Sequence, residues 1–435
     1  MKKHIKWLLN EINLWVGEGI IAPEQATVLK RRYPAPGEGT AWGRMIFFSI
    51  GAILFGLGII LIFAYNWEKM HKFAKLAVIF AALVGAHGAG YWLNRPESRY
   101  RAAGEGLHLL GTMLFGAGIW LIAQIYHIQE HYPTAFLFWG FGALAMAWSL
   151  PSIPQAIAAV ILFVLWNCFE AFDFKDPHLI SPFIILVGIV PLAWLKRSRV
   201  LITICVIGFL VTLFASVSTL EGDLAPLVIF FSACILIAMS VVVRQRKLFA
   251  QIGPVFSFIG FLLYFAILFI LSFYHRGKGT WSVHFNQFME SLFFFSFALA
   301  AMGTWAWAIW PTRVKRSKPG KVISSEYYGV WATLVIMILN ALDLIALRGW
   351  LGMAVFNILF LYQCIVIIIT GCRSLNLKST ATGCVLFAVI AMARYADLFF
   401  SLLTRSLVFF IAGAALFSVG IYYSRTKKQI ERETL

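Results

Sequence analysis

Apolar stretches of about 17–25 residues follow one another from residue 45 to residue 423, separated by short runs rich in proline and charge. An α-helix rising 1.5 Å per residue needs that length to cross the hydrocarbon core of a bilayer. The segments fall near 45–65, 72–93, 105–126, 133–150, 153–171, 179–195, 199–219, 224–243, 250–273, 287–311, 327–347, 350–371, 380–400 and 403–423. The pattern predicts an all-α fold, a polytopic transmembrane helix bundle of about 14 spans, or 12–14 given the very short connections within 133–171 and 327–371. Ahead of the spans, Ile5, Leu8, Leu9, Ile12 and Trp15 or Val16 recur at helical spacing, Gly17-Glu18-Gly19 closes that run, and Pro23 opens a second one carried on by Ala26 and Leu29. Residues 4–33 therefore read as a short amphipathic helical hairpin and 34–43 as a linker. The chain divides into a head and linker (1–44), a transmembrane domain (45–423) and a basic tail (424–435).

Composition agrees with this pattern. Apolar residues make up 61% of the chain and charged residues 13%, with a mean hydropathy of +0.82. A soluble domain carries about 25% charged residues, so a soluble fold of this size is excluded. The net charge of +17 would point to nucleic acid if it were clustered on one surface. Instead it alternates with the spans. With the N-terminus inside, Lys2, Lys3, Lys6, Lys30, Arg31, Arg32 and Arg44 are cytoplasmic, followed by Arg95, Arg99 and Arg101, then Lys196, Arg197 and Arg199, then Arg244, Arg246 and Lys247. Arg313, Lys315, Arg316, Lys318 and Lys321, then Arg373 and Lys378, and finally Arg425, Lys427, Lys428 and Arg432 complete 27 of the 36 Lys and Arg. This is the positive-inside rule. It predicts a bacterial inner-membrane, multi-pass protein with both termini cytoplasmic, and removes the case for a nucleic-acid partner. No cleavable signal peptide is expected, because the first 44 residues lack an apolar h-region. The six cysteines lie in or beside apolar runs without CxxC spacing and read as buried hydrophobes.

Segments one and three share a pattern. Gly51-x-x-Leu54-Phe55-Gly56-x-Gly58-Ile59-x-Leu61-Ile62 matches Gly111-x-x-Leu114-Phe115-Gly116-x-Gly118-Ile119-x-Leu121-Ile122. The spans 45–93 thus read either as repeated in 105–150 or as convergent glycine-rich packing faces. In lipid, small residues on one helix face let backbones approach closely, so Gly51, Gly56, Gly58, Gly111, Gly116 and Gly118 are expected packing positions.

Several polar residues stand out against this apolar background. Arg394 and Asp397 lie three apart in segment thirteen, and Asp343 with Asn340 in segment eleven offers a cross-helix partner. A charge at mid-bilayer costs at least about 2.5–3.5 kcal/mol, so such residues pair and often mark function. They read as a structural ion pair or as a substrate or proton site. His127-Ile128-Gln129-Glu130-His131 fits the inverted zinc-protease order, but a connection of about six residues leaves no room for a cleft. Two readings remain for His71, His127, Glu130 and His131: a structural or regulatory metal site that draws in His71 or Glu68, and polar capping of helix ends. His87 and His108 read as helix–helix hydrogen-bonding residues or as relay groups. No cofactor is expected.

The head contains Trp15-Val16-Gly17-Glu18-Gly19-Ile20 and Gln25-Ala26. The first span and its exit contain Ile50-Gly51-Ala52 and Asn66-Trp67-Glu68, followed by Lys75-Leu76. Gln124-Ile125-Tyr126-His127-Ile128 and Trp139 come after, and Arg394-Tyr395-Ala396-Asp397-Leu398-Phe399 stands near the end. In this order the motifs resemble the bacterial predicted-membrane-protein family known as domain of unknown function twenty-one fifty-seven, most clearly over 1–145 and again at 385–425. The resemblance implies a polytopic membrane protein with a short cytoplasmic N-terminal segment and implies no activity. On the predicted threading Asn66, Trp67, Glu68, Gln124, Tyr126 and His127 lie where spans one and three end at the outer interface, a depth at which aromatics are enriched, and read as an outer-face polar motif.

Walker A and dinucleotide-binding loops are absent, as is any long hydrophilic loop for a catalytic domain. The expectation is a transporter or flippase-like protein for a small or amphipathic solute, and an enzyme is not expected. The alternative is a non-transporting scaffold or assembly protein that docks a partner through residues 1–40. Membrane lipid is a partner on either reading, with a cytoplasmic or membrane protein as a further one.

Overall fold

The computed structural model describes residues 2–32, 71–95, 97–127, 131–176, 178–219, 224–246, 248–273, 288–310, 325–345, 347 and 349–398, with isolated positions in 47–58 and 410–421. Among these residues every regular element is a helix, and nine helices are long and apolar enough to cross a membrane. The helices are α1 (Lys2–Gly17), α2 (Pro23–Arg32), α3 (Lys72–Leu93), α4 (Arg101–Ile125), α5 (Pro133–Ser149), α6 (Ile153–Phe169), α7 (Ser181–Gly188), α8 (Val190–Leu195), α9 (Arg199–Ser218), α10 (Leu224–Gln245), α11 (Gly253–Phe273), α12 (Phe288–Ile309), α13 (Ser325–Ala341), α14 (Gly349–Arg373) and α15 (Leu377–Leu398). A π-helical turn, Glu170–Phe174, extends α6. The expected first and last segments, 45–65 and 403–423, lie almost wholly outside the described residues, so the count of fourteen extends beyond them.

Most helix limits fall within a few residues of the apolar pattern. Two departures have local causes. Segment 179–195 is broken at Ile189, because Pro191 opens α8 and has no N–H to continue the ladder. The Trp148 indole donates to the Gly188 carbonyl at this break, 2.7 Å away. Segment 327–347 stops at Ala341. Asn340 Oδ1 accepts from Leu347 N at 3.2 Å, Asp343 N donates to Asn340 O at 3.0 Å, and Asp343 takes a left-handed φ of 55°. Side chain and backbone of Asn340 thus turn the chain out of the helix.

The chain forms two compact units, residues 1–169 with 183–196, and residues 170–182 with 197–435. In the first, α1 ends in a Schellman turn. Gly19 (φ 71°) donates to Val16 O, and Ile20 N donates to Trp15 O. Gln25 Oε1 then accepts from Ala22 N at 3.0 Å ahead of Pro23, the side-chain-to-cap half of a capping box at the start of α2. Ile12 and Ala26 are buried, whereas Trp7, Leu14, Ile20 and Val28 are exposed. The same unit packs α3 on α4, α5 on α6, and α4 on both α5 and α6.

In the second unit α10 is the central helix, packed by α9, α11, α12 and α13. Its core joins Phe230 and Phe231 to Tyr264, Phe294, Trp305 and Phe360, all of them fully buried. Thr333 donates to Gly329 O at 2.8 Å, so the buried Tyr264 hydroxyl, 2.8 Å from Thr333 Oγ1, is the donor to it. All six cysteines are free.

Close backbone approach of α10 and α11 depends on Gly260, where a Cβ would stand 2.8 Å from Ile237 Cγ1 and 3.1 Å from both Ala233 O and Ile237 N. Because part of that wall is backbone, Gly260→Ala is expected to destabilise by about 1–3 kcal/mol. Gly303→Ala, with nothing within 4 Å, is expected to be neutral or stabilising through helix propensity. Thermal melting of the two variants in detergent checks the contrast.

Candidate functional site

α3 and α4 run antiparallel, and their contact is built on a reciprocal placement of histidine against glycine. The His108 ring lies 3.0 Å from where a Cβ of Gly90 would stand, and the His87 ring lies 2.5 Å from that of Gly111. Each glycine makes room for an imidazole from the opposite helix, so both rings sit in the helix interface. The two Nδ1 atoms approach to 3.3 Å, with ring centroids 5.6 Å apart and planes 29° apart. His108 is buried and His87 half-buried.

From this pair a line of polar groups continues through the unit. Thr112, one turn after His108, places its Oγ1 3.2 Å from the His108 carbonyl and 2.8 Å from Gln155 Oε1 on α6. The Trp139 indole on α5 donates to Thr112 O at 2.7 Å. Its ring lies over Gly116, where a Cβ would come within 2.1 Å of it. Thr112 and Gln155 are each 1% exposed. A half-turn of the Gln155 amide would let Nε2 donate to Thr112 and free the hydroxyl for the His108 carbonyl. His87, His108, Thr112, Gln155 and Trp139 therefore form a buried polar seam across four apolar helices. At the α3–α4 connection, Trp92, Leu93, Arg95, Glu97, Ser98 and Tyr100 line an open cavity of about 530 Å³.

Among its described residues the second unit buries two charged side chains, Arg394 and Glu170. Arg394 on α15 is 8% exposed. Its Nη2 donates to the carbonyl of Ser272 and, at 2.8 Å, to Ser272 Oγ. Nη1 lies 3.9 Å from Met353 Sδ, and the guanidinium stands 4.0 Å over the Phe273 ring. Ser272 and Phe273 are the last residues of α11, where carbonyls lack helical partners and the dipole is negative. Arg394 is thus engaged by a helix C-terminus. Asp343 stands exposed beyond the end of α13, and Asn340 is buried in the loop staple described above. Asp397 follows on α15, and its side chain lies outside the described residues. The second group is Glu170, 1% exposed on the π-helical turn and 3.5 Å from His178 Nε2.

The remaining candidates are placed as follows. Gln124, Tyr126 and His127 are exposed at the end of α4, with His127 at φ 53° closing the helix. Asn66, Trp67, Glu68 and Glu130 lie outside the described residues, as does Gly56. His71 precedes α3 with its ring 5.4 Å from that of Phe73, and His131 is exposed. Among the described residues no group of three or more His, Cys, Asp or Glu is placed to hold a metal ion. A Cβ at Gly118 would meet Ile79 at 3.0 Å, whereas those at Gly51 and Gly58 have no described atom within 4 Å.

Thr112, Gln155 and Glu170 escaped the sequence reading. The usable signals were a hydroxyl one turn from His108, a lone amide in the first turn of an apolar run, and a carboxylate within the run 153–174.

Residues 13–156, about a third of the chain, match the family described as predicted membrane protein (DUF2157). The match contains the whole polar seam. Neither the curated proteins nor the solved structures yield a match.

A methyl group at Gly111 would collide with the His87 ring, so Gly111→Ala is expected to cost about 1–3 kcal/mol. Gly88→Ala, with nothing within 4 Å, should leave stability unchanged in the same melting experiment. Removing the charged donor to the α11 terminus with Arg394→Ala is expected to cost about 1.5–3 kcal/mol. Asp343→Asn keeps a residue suited to positive φ at an exposed site and should stay within about 0.5 kcal/mol. Equal losses for these two variants would contradict the placement.

Proposed function

We propose that this chain is an inner-membrane transporter or flippase-like protein for a small or amphipathic solute. On this reading it crosses the membrane about fourteen times, and both termini, with the α1–α2 head, are cytoplasmic. The observation that carries the proposal is the polar seam of His87, His108, Thr112, Trp139 and Gln155. Polar and ionisable groups inside apolar helices mark substrate and ion pathways. The open cavity of about 530 Å³ at the α3–α4 connection falls in the volume range of small-molecule sites. It adds a size class to the reading.

A second reading has one observation in its favour. Trp7, Leu14, Ile20 and Val28 leave the α1–α2 pair with exposed apolar side chains beside its basic residues. That pattern also suits a head that docks a partner, as a scaffold would.

Native mass spectrometry of protein gently extracted from its own membrane separates the two. A transporter is expected to retain a small molecule or lipid. That molecule should raise the melting temperature of the wild type but not of Thr112→Val or Gln155→Leu, and should be taken up by proteoliposomes. Retention of a protein partner that is lost on deleting residues 1–40, with no small ligand, would overturn transport in favour of the scaffold.

A further inference from the structure

We infer that His87 and His108 form a proton-binding site that accepts one proton per pair and passes it from α4 to α3. Gly90 faces His108 and Gly111 faces His87, so both rings lie in the helix interface with Nδ1 against Nδ1 at 3.3 Å. Two neutral imidazoles in this arrangement must differ in tautomer, one donating and one accepting. The buried Nε2 of His108 has no hydrogen-bond partner. An N–H left unpaired there is more costly than a bare lone pair. The neutral pair is therefore His108 with its proton on Nδ1, donating to His87 Nδ1, and His87 with its proton on Nε2.

This tautomer sets the chemistry. An added proton bonds to the lone pair of His108 Nε2 and makes an imidazolium. The Nδ1–H bond of His108 then breaks as an N–H bond forms at His87 Nδ1, and the positive charge moves to His87. His87 then releases its Nε2 proton, which leaves both rings neutral in the opposite, less stable tautomer with His108 Nε2–H unpaired, and return of a proton along the same path restores the starting pair. No electrons are transferred and no other reactant is needed. A second proton would put two cations side by side in an apolar interface, so the pair holds one at a time.

The neighbouring charges allow this. On α4, Glu105 lies one turn before His108 and Arg101 a further turn back. On α3, Lys72 and Lys75 are at the far end and Tyr91 is one turn past His87. α5 carries no titratable side chain, and α6 carries only Cys168. Glu105 is thus the nearest carboxylate in sequence to offset the cation.

Proton uptake by the pair stands independently, whereas its coupling to solute movement rests on the transport reading. The test is nitrogen NMR of the full chain, with histidine labelled, in lipid nanodiscs from about pH 8 to about pH 5. The expected result is joint movement of the His87 and His108 ring signals with uptake of one proton, absent in His108→Asn. Two rings that stay neutral to about pH 5, or that bind one proton each, overturn the site. Zinc is the competing occupant, because two nitrogens on a tetrahedral ion with bonds of about 2.0–2.1 Å stand about 3.3 Å apart. Zinc chloride that binds the wild type at about pH 8 and needs both histidines would replace the proton site with a metal site. The wild-type titration decides the matter even if His108→Asn fails to fold. If the pair binds one proton while proteoliposomes under a pH gradient move no solute, the site stands and the transport reading falls.

Discussion

Every backbone N–H and C=O that enters lipid must be satisfied within the protein, because no water is there to take its place. Regular helix answers this along its length and leaves the problem at ends and breaks. Much of the polar chemistry of this chain serves those places. The Trp148 indole covers Gly188 O at the Pro191 break, and the Arg394 guanidinium covers the end of α11. Asn340 staples the loop after α13, and Ser198 Oγ accepts from Leu201 N where α9 begins. A polar side chain in an apolar run is therefore first a partner for backbone, and only the remainder asks for another explanation.

Packing imposes the second condition. Lipid tails are as apolar as leucine, so helices associate through close contact rather than through expulsion of water. The first unit meets this by seating rings on glycines: His87 on Gly111, Trp139 on Gly116, Phe163 on Gly140 and Phe115 on Gly142. The second unit relies more on a continuous aromatic core about α10, with Gly260 at the α10–α11 contact. The same glycine-for-ring exchange that packs α3 against α4 also brings two imidazoles together.

This division explains what was legible in the sequence. Hydropathy at helical length locates α3 through α15 closely, because burial in lipid and burial in protein demand the same apolar residues. It does not reveal which face meets a neighbour. Asp343 therefore reads as part of the helical span, although the helix ends at Ala341. The sequence shows a charge at Arg394, but the α11 terminus that its guanidinium contacts is a partner no residue type announces. The glycine pattern at 111, 116 and 118 was visible, whereas the side chains that fill it, His87, Trp139 and Ile79, come from other helices. Thr112 and Gln155 belong together only after α4 and α6 have packed, and 43 residues separate them.

Magnitudes then bear on the seam. Hydrogen bonds between membrane helices contribute about 0.6 kcal/mol on average and rarely more than about 1.7. Burying an imidazole or an amide in apolar surroundings costs at least as much when some of its atoms go unpaired. Trp139 donating to Thr112 O is accounted for as a side chain serving backbone. The His87–His108 and Thr112–Gln155 contacts join side chain to side chain and satisfy no helix end. Their net hydrogen-bond stabilisation is small, so the hydrogen bonds alone do not account for them. A site that must exchange a proton or hold a polar solute requires groups of this kind.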